Sequence, residues 1–378
     1  MMLTARYSRI GLLILFPFCI FLLIFYSSYN KNLNTYKYDY EIEKNSSTIH
    51  RENAAFVVLA RNSDLNGIRE AMQMMEDRFN HKYHYPWVFL NDQPFEEKFK
   101  EYTTGLASGK TYYGELSHDM WGYPDWIDQE KARKSREEME AAQVIYGGVE
   151  SYRHMCRFQS GFFFRHPLME QFDYYWRVEP DVKFTCDIDY DPFKVMREKD
   201  LKYGFTISLY EYENTIPTLW KTTKQFMKEY PQHIVPTNDS ESLMSWITDN
   251  GGETYNLCHF WSNFEIGSLA FLRSQAYLDY FNYLDKAGGF FYERWGDAPV
   301  HSIAVAMMLK KSDVHFFYDI GYFHNPFKNC PSEPSWLPIE KCSCDPSDSM
   351  HDNNWSCTPK FLNLVNKKVT DFVITKRY

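Results

Sequence analysis

Residues 54–60 read Ala54-Ala55-Phe56-Val57-Val58-Leu59-Ala60, and residues 86–92 read Pro86-Trp87-Val88-Phe89-Leu90-Asn91-Asp92. Each is a short apolar run with adjacent bulky residues, the pattern of a strand covered on both faces. Between them Asp64 opens a stretch to about residue 78 in which Leu65, Ile68, Met72 and Met75 recur at helical spacing. Strand, helix, strand in that order begins an α/β layer of the kind that binds nucleotides. Outward from it, further strands are expected at 172–178, 205–210 and 314–318. A charge-dense helix is expected over 126–146, where Glu130 and Lys134 stand four apart. Apolar periodicity predicts helices over 217–230, 239–249, 274–286 and 297–311, the third stopping at Gly288-Gly289. With no internal repeat and no low-complexity tract, one catalytic domain over 54–378 is the economical organisation.

The N-terminal end differs in kind. Residues 10–26 form a nearly unbroken apolar run preceded by Arg6 and Arg9. That pattern predicts a single signal-anchor helix with a short cytoplasmic tail (1–9), and its modest length suits the thinner membranes of the early secretory pathway. Residues 27–53 are polar and aperiodic, as a lumenal stem would be. Asn45, Asn238 and Asn354 stand in N-x-Ser/Thr sequons, consistent with lumenal exposure. Of eight cysteines, Cys19 lies in the apolar run, leaving seven for the lumen. There disulfides persist, and an odd number leaves at least one thiol free or paired between chains. Cys330, Cys342, Cys344 and Cys357 crowd a Pro/Ser/Asp-rich tail without CxxC pairs, which favours a stapled loop over a zinc site. A net charge of −9 and the lack of a long basic run exclude a nucleic-acid role. The 18% aromatic content suits sugar recognition as well as an aromatic core.

Chemistry concentrates in Tyr174-Tyr175-Trp176-Arg177-Val178-Glu179-Pro180-Asp181. An aromatic strand ends there in two carboxylates separated by one proline. Ligands in open α/β sheets gather beyond the carboxyl ends of strands. Hard oxygen donors favour Mg²⁺ or Mn²⁺, which can bridge a diphosphate and neutralise a leaving group. Other strings accompany it: Arg61-Asn62-Ser63-Asp64, Ser151-Tyr152-Arg153-His154-Met155-Cys156, Cys258-His259-Phe260-Trp261 running to Glu265, Tyr292-Glu293-Arg294-Trp295-Gly296-Asp297, and Tyr322-Phe323-His324-Asn325-Pro326.

Together these strings resemble the fungal Golgi α-1,2-mannosyltransferases of glycosyltransferase family 15, over nearly the whole chain from residue 54. The resemblance implies a GT-A-like α/β domain with a Rossmann-type nucleotide-sugar layer, GDP-mannose as donor, Mn²⁺ as cofactor, a mannose-terminated O- or N-linked glycan as acceptor, and transfer with retention. It places Glu179 and His324 at the metal, and makes Glu265 the candidate nucleophile. Asp297 falls near the acceptor or reacting sugar, and Arg61 and Tyr152 in the donor pocket. Asp181 falls where a ribose or second metal contact would be. Physical reasoning runs alongside: positive charge grows at the anomeric carbon as the diphosphate leaves, and a carboxylate beneath it can stabilise or attack it. Retention can arise that way or by front-face substitution. Asp297 also reads as a cap for the helix that follows it. His154, His259 and His301 read as satisfied core histidines.

Two other readings share these residues. A lumenal glycosidase would use Glu265 and Asp297 as paired carboxylates without a metal, and a non-catalytic lumenal subunit would bind glycans or a partner transferase. Within the family, mannosylphosphate transfer or another α-linkage is the alternative reaction.

Overall fold

A computed structural model describes residues 51–332 and 339–374. The tail, the anchor and nearly all of the stem expected from the sequence lie outside the described residues. Among the described residues, no helix is long and apolar enough to cross a membrane.

The apolar run at the start of the domain forms β1 (Ala54–Leu59), and its alternation decides the layering. Ala55 and Val57 point into one hydrophobic cluster, while Ala54, Phe56 and Val58 point into the other. A strand buried on both faces must be central to a sheet covered on both sides. The chain then adds β2 (Trp87–Asn91), β3 (Thr111–Glu115), β4 (Tyr174–Arg177), β5 (Lys183–Phe184), β6 (Tyr203–Phe205), β7 (Ser208–Tyr210), β8 (Cys258–Phe260), β9 (Glu265–Ser268), β10 (Val314–Phe316), β11 (Tyr322–His324) and β12 (Phe327–Asn329). The large sheet runs β10-β6-β9-β4-β1-β2-β3; β12-β11-β5 and β7-β8 form two small ones. From β4 to β3 all pairs are parallel, which is the expected nucleotide-binding layer. β9 is antiparallel to both β4 and β6, so the sheet as a whole is mixed.

The helix Leu65–Met75 turns Ile68, Ala71, Met72 and Met75 onto one face of the sheet. The other face receives residues of helices Glu150–Gly161, Gln275–Ala287 and Asp297–Met308. As expected, Gly288 ends the second of these in the left-handed region, at φ 77°. Two expectations are corrected. The strand expected over 205–210 is two strands, β6 and β7, because after Phe205 the chain leaves the large sheet to pair with β8. The helix expected over 239–249 shrinks to Met244–Ile247. There Asp239 accepts from the Glu241 amide at 2.8 Å and Ser242 from the Met244 amide at 3.3 Å. These local side-chain bonds compete with a helical ladder.

The tail is stapled by disulfides, as expected. Cys186 pairs with Cys342, Cys258 with Cys357 and Cys330 with Cys344, leaving Cys156 as a buried free thiol. Cys258–Cys357 closes a separation of 99 residues and fastens the helix Thr358–Val365 to β8. Removing it by paired serine substitution is expected to cost about 2–4 kcal/mol, read as a lower urea midpoint. An unchanged midpoint would show that the tail docks without it.

Candidate active site

The carboxyl ends of β1, β2 and β4 open onto a cavity of about 450 Å³ lined by Arg61, Asp64, Asn91, Asp92, Tyr152, Glu179 and Asp181 among others. A second cavity of about 280 Å³ is lined by Arg177, Glu179, Trp261, Ser262, Arg294, Asp297 and His324 among others. Tyr146, Tyr152, Met155 and Glu179 line both, so the two are halves of one cleft. Six of the seven site residues expected from the sequence are therefore brought together around it.

Arg177, the last residue of β4, organises the floor. It is 4% exposed and sits between two carboxylates, donating to Asp297 Oδ2 at 2.6 Å and making a close contact with Glu179 Oε1. Burial works against its charge, but Glu179 and Asp297 outweigh that and raise its pKa well above the ordinary value. Burial likewise works against ionised Asp297, yet Arg177, His301 and a 2.7 Å bond from Ser262 Oγ hold its carboxyl below the usual range. Asp297 is the first residue of its helix, and its side chain is spent on these contacts rather than on a cap.

With one oxygen of Glu179 held by Arg177, the other faces His324 Nε2 at 3.9 Å. His324 Nδ1 lies 3.2 Å from the Asn325 carbonyl, which can only accept. The proton therefore belongs on Nδ1, leaving the Nε2 lone pair toward Glu179. The Trp261 ring packs edge-on to the imidazole at 4.8 Å and fixes its plane. A carboxylate oxygen and an imidazole nitrogen so spaced, both partly exposed, suit one divalent ion and leave its other positions to phosphate oxygens and water.

The remaining donors frame the first cavity. Arg61 is held by Asp64 through bonds of 2.9 and 3.0 Å. Tyr152 stacks on Tyr146 with ring centroids 4.5 Å apart, and the Arg294 guanidinium lies 5.2 Å from its ring. Asp181 adopts φ 66° at the turn after Pro180. That turn rests on Gly67, where an added Cβ would lie 2.2 Å from Asp181 Oδ1 and 3.2 Å from its amide. Gly67→Ala must therefore shift the Glu179-Pro180-Asp181 turn. About a tenfold rise in the metal concentration for half-maximal activity is expected, with little change in melting temperature; an unaltered metal titration would show that the turn yields without consequence.

Glu265 is not brought to the cleft. It has no exposed surface and lines neither cavity, lying under the floor where the β4–β9 register sets it opposite Arg177. It accepts from Tyr203 Oη at 2.7 Å and Tyr175 Oη at 3.2 Å, and meets His301 Nδ1 at 2.7 Å. His301 Nε2 is 3.1 Å from the Gln159 carbonyl. Both ring nitrogens thus face acceptors, so both donate and the ring is an imidazolium. Burial would lower its pKa, but Glu265 raises it. Glu265 and Asp297 consequently do not face each other across either of these two cavities, as the glycosidase pairing would require.

Comparison with known proteins gives this cleft its context. The family model described as glycolipid 2-alpha-mannosyltransferase matches residues 27–366. The chain belongs to that family. Within the family, it is 56% identical to glycolipid 2-alpha-mannosyltransferase 1 of Candida albicans over 83% of this chain and 72% of the relative. It is 49% identical to alpha-1,2 mannosyltransferase KTR1 of Saccharomyces cerevisiae over 95% of this chain and 93% of the relative. The crystal structure of core-mannan synthase A (CmsA/Ktr4) from Aspergillus fumigatus, in its Mn/GDP form, superposes with a TM-score of 0.78 at 41% identity, covering 86% of this chain and 88% of that one.

Sequence reasoning gave Arg177 no role and read His301 only as a satisfied core histidine, buried and bonded at both ring nitrogens as it is. Each carried a signal: Arg177 stands two residues before Glu179, on the same side of an extended strand, and His301 stands four after Asp297, on the same helix face. What spacing could not tell is that both are charged hubs.

Proposed function

We propose that this chain is a retaining α-mannosyltransferase. It moves mannose from GDP-mannose to a mannose-terminated O- or N-linked glycan of secreted or cell-wall glycoproteins, forming α-1,2 bonds, with Mn²⁺ as cofactor. The observation that carries this is the Glu179–His324 pair, with Glu179 lining both cavities and His324 the second. The names of the relatives at about half identity, and the Mn/GDP form of the similar structure, support the same reading.

Glu179 and His324 would hold the ion, which supplies charge neutralisation for the departing diphosphate. The first cavity, with Arg61, Tyr152 and Asp181, takes the nucleotide. The second takes the reacting sugar and the acceptor. Arg177 keeps Asp297 ionised at that cavity's wall, where a fixed negative charge stabilises the oxocarbenium-like state and orients the incoming hydroxyl. Front-face attack assisted by the donor phosphate makes no demand on buried Glu265, whose contacts suit a positioning role. Residues 10–26 act as a single Golgi signal-anchor with residues 54–378 lumenal; the apolar run behind Arg6 and Arg9 supports this.

The test is incubation of the detergent-solubilised full chain with GDP-mannose and a panel of α-mannoside acceptors. EDTA should abolish transfer and added Mn²⁺ restore it, with the anomeric configuration of the product read by NMR. Transfer that persists in EDTA, or a β-linked product, overturns the reading.

A further inference from the structure

At the mouth of the cleft, two aromatic side chains stand in water without an evident folding role. Tyr212 lines the second cavity yet is 51% exposed, and Trp355 beside it is 52% exposed. Their ring centroids lie 6.3 Å apart at 49°. Large exposed rings are costly to solvate, so a built pair at a cleft mouth asks for an occupant.

The backbones beneath them are fixed. The Tyr212 carbonyl accepts from the Thr215 hydroxyl at 2.6 Å and the Thr215 amide at 3.0 Å. The Trp355 carbonyl accepts from the Tyr210 amide at 3.2 Å, the Trp355 amide donates to Asn353 Oδ1 at 2.9 Å, and the Cys258–Cys357 disulfide anchors the chain two residues on. Rigid backbone with free ring faces is a preorganised surface, which loses little entropy on binding.

We propose that Tyr212 and Trp355 form an outer stacking subsite for the acceptor glycan. It would take the second and third mannose units behind the one that receives the new bond. This rests on the mannosyl-transfer reading for its occupant. The apolar faces of pyranose rings pack on aromatic faces, and Tyr212 makes the platform continuous with the cavity that holds Asp297 and His324. An acceptor reaching Asp297 would pass its preceding sugars over these rings. The subsite thereby makes the enzyme prefer an oligomannoside to a single mannose.

The experiment compares methyl α-mannoside with α-mannobiose and α-mannotriose as acceptors for the full chain, and measures mannotriose binding directly by calorimetry. Wild type should gain about tenfold in kcat/KM from monosaccharide to trisaccharide. Trp355→Ala, outside the cavity lining, should lose most of that gain through KM, while monosaccharide kinetics and the KM for GDP-mannose stay put; Tyr212→Ala should lose the length preference as well. Trp355→Phe should keep most of it. Because Asn354 is an exposed sequon residue, the series is repeated with Asn354→Gln so that no attached glycan competes for the rings. No length preference in wild type, or equal losses on all acceptors, overturns the subsite. So does a gain that follows a peptide aglycone instead of glycan length. Should wild type transfer no mannose but bind mannotriose in a Trp355-dependent way, the enzymatic reading falls and the platform stands.

Discussion

Exchanging Glu179 for glutamine is expected to lower kcat/KM for mannosyl transfer about a thousandfold, equivalent to about 4 kcal/mol of transition-state stabilisation. Glutamine keeps the shape and an acceptor oxygen for Arg177, so the buried guanidinium is not orphaned; Asp297 continues to neutralise it. What is lost is the negative donor 3.9 Å from His324 Nε2. The Mn²⁺ concentration for half-maximal GDP binding should rise at least tenfold, while the melting temperature moves by a few degrees at most. Alanine is the poorer choice, because it would leave part of a buried ion network unpaired and mix stability with function. If Glu179→Gln retains more than a tenth of wild-type activity at an unshifted metal midpoint, Glu179 does not hold the ion, and the cleft's central assignment goes with it.

What the sequence made legible follows from how each part is stabilised. β1, β2 and the helix between them are defined by burial, so their apolar runs and 3.6-residue period show directly. β9 and β11 are defined by their neighbours. Glu265–Ser268 and Tyr322–His324 are short and carry charged or polar residues, so no periodicity could have singled them out. The tail was readable as a stapled loop but not as the helix Thr358–Val365, which relies on Phe361 entering the core beside the Cys258–Cys357 bond. The site shows the same division. Glu179 and His324 were legible as residue types in telling strings, and the fold brings them face to face. The depth of Glu265 was not legible. It arises because β9 runs antiparallel to β4 and buries the carboxylate under the sheet's own side chains.

That depth makes Glu265→Gln informative. The carboxylate faces an imidazolium at 2.7 Å and two tyrosine hydroxyls, so neutralising it leaves His301 buried opposite an amide. Breaking such a pair from one side is expected to cost about 3 kcal/mol. The pH dependence carries the signature. Because contact with Glu265 raises the folded-state pKa of His301, the pair's contribution is fully present below the unfolded value of about 6.5 and is lost as pH rises through the higher folded value. Without the carboxylate, burial and the Arg177 charge act against protonated His301 with only Asp297 opposing them, so its pKa falls and the variant loses stability on acidification where wild type does not. The gap in denaturation midpoint should therefore be widest near pH 6 and narrow toward alkaline pH. Turnover, measured well below the variant's melting temperature, should fall about ten- to a hundredfold, as for a residue that positions others, because His301 also holds the Gln159 carbonyl at the wall of the first cavity. A nucleophile behaves otherwise: a fully folded Glu265→Gln with unchanged midpoints at every pH and no detectable transfer would mean that the carboxylate swings into the cleft during the reaction, and that the covalent route is the one the enzyme takes.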